Sequence, residues 1–138
     1  MNEKINTEKA PEPVGSYPHA RRVGNLLFLS GVGPRRPGTK VIPGVMVDGQ
    51  GNAVGQDIET QCYSVFENVK IILEASGSRW ENLVDVTVFL TNMQRDFDTY
   101  NRIYAEYFKD NQPCRTTVEI SALPTPIAIE LKCIATIE

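Results

Sequence analysis

The chain has 138 residues, 41% hydrophobic and 22% charged, with a formal net charge of −3. That balance belongs to one globular domain and excludes a disordered chain, a collagen-like fibre or a disulfide-dense miniature scaffold. The acidic excess disfavours a general nucleic-acid binder, which grips phosphates through a basic surface.

Residues 1–13 are polar and charged and read as a flexible N-terminal segment or an edge, ahead of a single domain over 14–138. Gly24 and Asn25 make a turn before a buried-strand candidate from Leu26 to Ser30, which ends where Gly31, Gly33 and Pro34 break the pattern. Arg35 and Arg36 follow in a basic loop. An extended piece over 41–47 ends at Asp48 and Gly49, a hairpin-type turn. The glycines at 49, 51 and 55 match neither dinucleotide nor Walker spacing and read as a turn leading to a helix.

Asp57 or Gly55 caps that first helix. Ile58, Cys62, Val65, Phe66, Val69, Ile72 and Leu73 form one helical stripe, with Gly77 as its stop. Cys62 lies in the stripe and reads as core. Val84, Val86, Val88 and Leu90 alternate as a strand. Asp96 caps a second helix whose buried side carries Phe97, Tyr100, Tyr104 and Tyr107 or Phe108. From Arg115 a strand sets Thr116, Val118 and Ile120 on one face and Arg115, Thr117 and Glu119 on the other. The last strand carries Ile127, Ile129, Leu131 and Cys133 on its apolar side and Glu130 on its mixed one.

This order predicts an α+β domain: a mostly antiparallel or mixed sheet with two helices on one face. Val86, Val118 and Leu131 are expected on the helix-facing side. The other side is partly apolar, through Phe89 and Ile134, and calls for cover by another subunit.

No apolar run is long enough to span a membrane, and the N-terminus lacks the apolar stretch of a secretory signal, so a cytoplasmic location is expected. Cys62, Cys114 and Cys133 are widely spaced and fit neither a disulfide framework nor a zinc site. His19 is the only histidine, so a multi-histidine metal centre within one chain is excluded. No metal or cofactor is expected. A nucleophilic triad would have to use His19, and no Gly-x-Ser-x-Gly elbow accompanies it.

Arg115 and Glu130 are expected together on the second sheet face. A guanidinium fork can hold a carboxylate, and a nearby carboxylate can orient or deprotonate water. That pair would hydrolyse an anionic substrate without metal; the alternative is a surface salt bridge. Ser30 and Gly31 offer a hydroxyl and close backbone approach, and Tyr17 and His19 flank Pro18 where each can line a pocket.

Several pieces, in order and spacing, resemble the RidA/YjgF group of imine and enamine deaminases. They are Gly15-Ser16-Tyr17-Pro18-His19-Ala20, Leu27-Phe28-Leu29-Ser30-Gly31, Glu67-Asn68-Val69 with Ile72-Leu73, and Tyr100-Asn101 through Tyr107-Phe108. Pro113-Cys114-Arg115-Thr116-Thr117-Val118 and Leu123-Pro124 with Ile129-Glu130-Leu131-Lys132 complete the set, and the likeness runs from about residue 14 to 137. The resemblance implies a chorismate-mutase-like homotrimer with clefts between subunits. By it Arg115 binds a substrate carboxylate, Glu130 is linked to the hydrolytic water, Ser30 and Gly31 line the pocket, and Tyr17 lies at the inter-subunit cleft. Thr117 stands where many members carry cysteine.

Gly15-Ser16-Tyr17-Pro18-His19 and Arg35-Arg36-Pro37 look most like the 2-aminomuconate deaminase branch, where Arg35 or Arg36 would hold a second carboxylate. The expected function is cofactor-free hydrolytic deamination of small carboxylate-bearing imines or enamines. A non-enzymatic ligand-binding or regulatory protein using the same cleft is the rival, and an endoribonuclease is weighed against by the acidic charge.

Overall fold

Val86, Val88 and Leu90 are fully buried in an interior strand of a six-stranded sheet in the computed structural model, which describes residues 2–137. Their strand, β6 (Leu83–Leu90), lies between β8 (Ile129–Thr136), antiparallel to it, and β7 (Cys114–Glu119), parallel to it. The parallel pair requires a crossover, which helix α2 (Met93–Phe108) supplies. On the other side β8 pairs with β3 (Leu26–Leu29), followed by β2 (Ala20–Val23) and β1 (Asn2–Ile5), all antiparallel. Strands β4 (Val45–Val47) and β5 (Ala53–Gln56) form a separate hairpin around the turn at Asp48.

Helix α1 (Ile58–Ala75) starts where expected, with the Asp57 carboxylate accepting the N–H groups of Glu59 and Thr60. All seven residues of its stripe are buried, Cys62 included. The two helices pack on one face of the sheet, and Phe66 of α1 meets an aromatic cluster of Trp80, Tyr104, Tyr107 and Phe108.

One reading is resolved and two change. Residues 2–5, within the segment read as flexible or an edge, take the edge form as strand β1, because β2 offers an open hydrogen-bonding edge; Ala10 is buried. Helix α2 starts earlier than expected: Asn92 caps it, accepting the Arg95 N–H, while Asp96 lies one turn in, buried and clasped by both Arg95 nitrogens at 2.7 Å.

The second change matters most. Val86 pairs with both Arg115 and Cys133, whereas Phe89 pairs with both Val118 and Glu130. Residues paired across a sheet point to the same face. Arg115 and Thr117 therefore take the helix face, and Val118 takes the open face with Glu130. At the outermost strand the helix face is reached by solvent, so a polar pair is tolerated there.

Gln61 of α1 is fully buried and accepts the Ala128 N–H at 2.8 Å, fixing the chain as it enters β8. Gln61→Leu leaves that N–H without a partner, and urea unfolding is expected to show a loss of about 1–3 kcal/mol.

Candidate functional site

Strand β3 ends two residues before a single bridge between Val32 and Leu131, so Ser30 and Gly31 bulge out of the ladder beside Glu130. A Cβ at Gly31 would lie 2.8 Å from a carboxylate oxygen of Glu130, so any larger residue there would displace that carboxylate. Glu130 thus lies directly against the bulge. It makes no hydrogen bond among the described residues, and partial burial raises its carboxyl above the ordinary glutamate value.

A cavity opens over this carboxylate. Tyr17, His19, Ser30, Gly31, Arg35 and Glu130 all line it, together with residues 11–14 and the turn at 124–127. Neutral hydrogen bonds build its walls. Ser30 donates its hydroxyl to the Pro18 carbonyl at 2.8 Å, leaving lone pairs for a ligand. His19 is buried, with Nδ1 accepting the Thr7 N–H and Nε2 donating to the Pro11 carbonyl at 2.6 Å. It ties down the 11–14 segment and has no nitrogen left for chemistry. Tyr17 is 41% exposed, and its hydroxyl accepts the Val14 N–H.

Arg35 reaches the cavity and donates to the Glu12 carbonyl. Asn68, buried on α1, holds this loop by donating to the carbonyls of Gly33 and Arg35 at 2.9 and 2.8 Å. Arg36 is exposed and lies outside the cavity lining.

Arg115 and Thr117 do not join this group. Arg115 stands on the helix face at the sheet edge. Its guanidinium lies 4.7 Å from the centre of the Tyr104 ring and 5.5 Å from that of Tyr100, and Nη1 donates to Asn101 Oδ1 at 2.8 Å. The Thr117 hydroxyl is engaged with the Tyr100 hydroxyl at 2.9 Å. The expectation that Arg115 and Glu130 share one face is therefore corrected by the register. They lie two strands apart, about 10 Å across the sheet, and are offset by three residues along it, with the sheet between their side chains.

The sequence reading missed the 11–14 wall, the 124–127 turn, and the hold of Asn68 on the loop. Only Asn68 left a signal, as a polar residue inside an apolar helical stripe. Cys62 and Cys133 are buried, which pushes both thiols up to about 12 and keeps them protonated at neutral pH. Among the described residues no group of three or more His, Cys, Asp or Glu side chains is placed to hold a metal ion, and no helix is long and apolar enough to cross a membrane.

A family model described as endoribonuclease L-PSP matches residues 7–137. A RutC family protein of Pyrococcus horikoshii is 42% identical over 135 residues, 98% of each chain. The chloroplastic Reactive Intermediate Deaminase A of Arabidopsis thaliana is 39% identical over 135 residues, 98% of this chain and 66% of that protein. Among solved structures, Escherichia coli TdcF with bound serine aligns over 99% of both chains with a TM-score of 0.83 and 30% identity.

The raised Glu130 carboxyl has a consequence for stability. The folded chain holds a proton there more tightly than the unfolded chain does, so stability falls as pH rises from the ordinary carboxylate range through the folded value. Glu130→Gln removes the ionisation. The variant is expected to melt above the wild type at pH 7 and to lose this pH dependence, read by thermal unfolding between pH 4 and 7.

Proposed function

The chain belongs to the endoribonuclease L-PSP (RidA/YjgF/RutC) family, and from that membership we propose that it hydrolyses small carboxylate-bearing imines or enamines, releasing ammonia without a cofactor. The family includes a protein named as a reactive intermediate deaminase. The observation that carries the reading is Glu130: an unpaired, partly buried carboxylate with raised proton affinity, set against a glycine bulge in a cavity.

In this reading Glu130 orients a water molecule and takes its proton as the oxygen adds to the C=N carbon. Glu130 gives that proton to nitrogen, then takes the proton of the new hydroxyl and passes it to nitrogen as the C–N bond breaks, leaving ammonia and a carbonyl. The raised proton affinity of Glu130 favours its taking the proton of water. Ser30 lone pairs and the open backbone at Gly31 border the reacting carbon. Arg115 holds the substrate carboxylate through its two-pronged donor geometry.

One chain does not bring Arg115 and Glu130 to one small substrate, because they occupy opposite faces. A second copy must supply one of them. The open face supports such an assembly: Leu26 and Val118 are 37% and 36% exposed there, with Phe89 and Ile134 half-buried. A homotrimer with its sites between subunits satisfies both facts. The finer substrate choice rests on Arg35. It shares the cavity with Glu130, so a dicarboxylate such as 2-aminomuconate can place its second anion there.

Ammonia release from freshly generated imines tests the activity, and no excess over buffer refutes it in favour of a binding protein. RNA breakdown without ammonia release would point instead to a nuclease. Arg115→Lys is expected to raise KM by the equivalent of about 1–3 kcal/mol, and Glu130→Gln to lower kcat by about 10²–10⁴-fold. Arg115→Ala and Glu130→Gln chains refolded together should recover activity in about a quarter of sites, whereas a site within one chain recovers none. Arg35→Ala should impair a dicarboxylic imine more than a monocarboxylic one, and Arg36→Ala should impair neither. Equal effects of Arg35→Ala on both substrates would remove the dicarboxylate assignment.

A further inference from the structure

Arg115 is a cation held entirely by neutral groups. The two ion pairs among the described residues are Arg95 with Asp96 and Arg102 with Glu59, and neither involves it. Its partners instead come from one side of α2. Tyr104 and Tyr100, one helical turn apart, present ring faces to the guanidinium, and Asn101 accepts one of its N–H groups. Tyr100 is also tied to β7 through Thr117, two residues from Arg115 on the same face. The rings themselves are fixed: Tyr100 is fully buried and Tyr104 stacks on Phe108 at 4.3 Å between centroids.

We infer that Tyr100, Asn101 and Tyr104 are positioning residues that hold the Arg115 guanidinium in a fixed plane for an incoming carboxylate, without neutralising it. The inference rests on the reading of Arg115 as the carboxylate binder. An exposed arginine ordinarily loses side-chain freedom when it binds an anion, and that loss weakens binding. Here the ordering is already done by the fold. Aromatic faces attract a guanidinium without supplying a charge that competes for it, and an amide oxygen occupies a single N–H. Most of the donor fork remains free, and so does the full positive charge.

The experiment turns on Asn101→Asp, a nearly isosteric change at an exposed position. It converts a neutral acceptor into an internal carboxylate that competes with substrate. KM for a carboxylate-bearing imine is expected to rise about tenfold, with kcat and melting temperature little changed. KM for the corresponding methyl ester should stay where it is. Tyr104→Phe keeps the ring and should bind like the wild type, whereas Tyr104→Leu removes it and should raise KM for the carboxylate substrate alone. If Arg115→Lys raises KM but Asn101→Asp and Tyr104→Leu do not, the positioning role is wrong and the carboxylate reading stands. If Tyr104→Leu does not fold, Asn101→Asp alone decides. If Arg115→Lys leaves KM unchanged, both the carboxylate reading and the positioning role fall.

Discussion

Val86 sits between Arg115 on one side and Cys133 on the other, and three residues on Phe89 sits between Val118 and Glu130. This three-strand register governs the molecule. Side chains alternate along a strand, so a register shift of one residue would turn the core groups of β8 outward and exchange the faces of Arg115 and Val118 on β7. The full burial of Val86, Val88, Leu131 and Cys133 against the helices holds the register in place. The placement of the two charges follows from it: Glu130 can only face the open side and Arg115 only the helix side.

That separation shapes the surfaces around each charge. Glu130 lies over a bulge whose glycine leaves room for its carboxylate, under walls tied by hydrogen bonds between neutral groups. Arg115 lies at the rim, where the outermost strand is not fully covered and α2 reaches it with two tyrosines and an amide. Nothing charged is spent on either group by its own chain among the described residues.

Much of this was legible in the sequence. The α1 stripe from Ile58 to Leu73 has a clear helical period, and the β6 alternation has a clear strand period, because both elements bury one face fully. Tyr17, His19, Ser30, Gly31, Arg35 and Glu130 were all singled out, and the fold brings them to one cavity. The side taken by Val118 was not legible. An edge strand gives an apolar residue no way of announcing whether it faces a helix or an uncovered sheet; only the pairing with Phe89 decides it. The helix start was misplaced for a related reason. Asn92 and Asp96 both suit a cap, and Asp96 is committed elsewhere by its two bonds to Arg95, a tertiary fact without a local pattern.

The two opposite charges raise a question of stability that bears on the function. A partly buried carboxylate without a donor is held at a cost, visible in the raised proton affinity of Glu130. Keeping the two groups apart by a full sheet thickness means that neither can quench the other. In the proposed function their charges are met from outside the chain: by a carboxylate at Arg115, and by a water or amine nitrogen at Glu130. A substrate that carries both features about a carbon apart can touch both groups only where two copies of the sheet meet, the helix-side rim of one against the open face of the next. In the proposed function, oligomerisation and chemistry are linked by one geometric fact, the parity of positions 115 and 130 in a shared register.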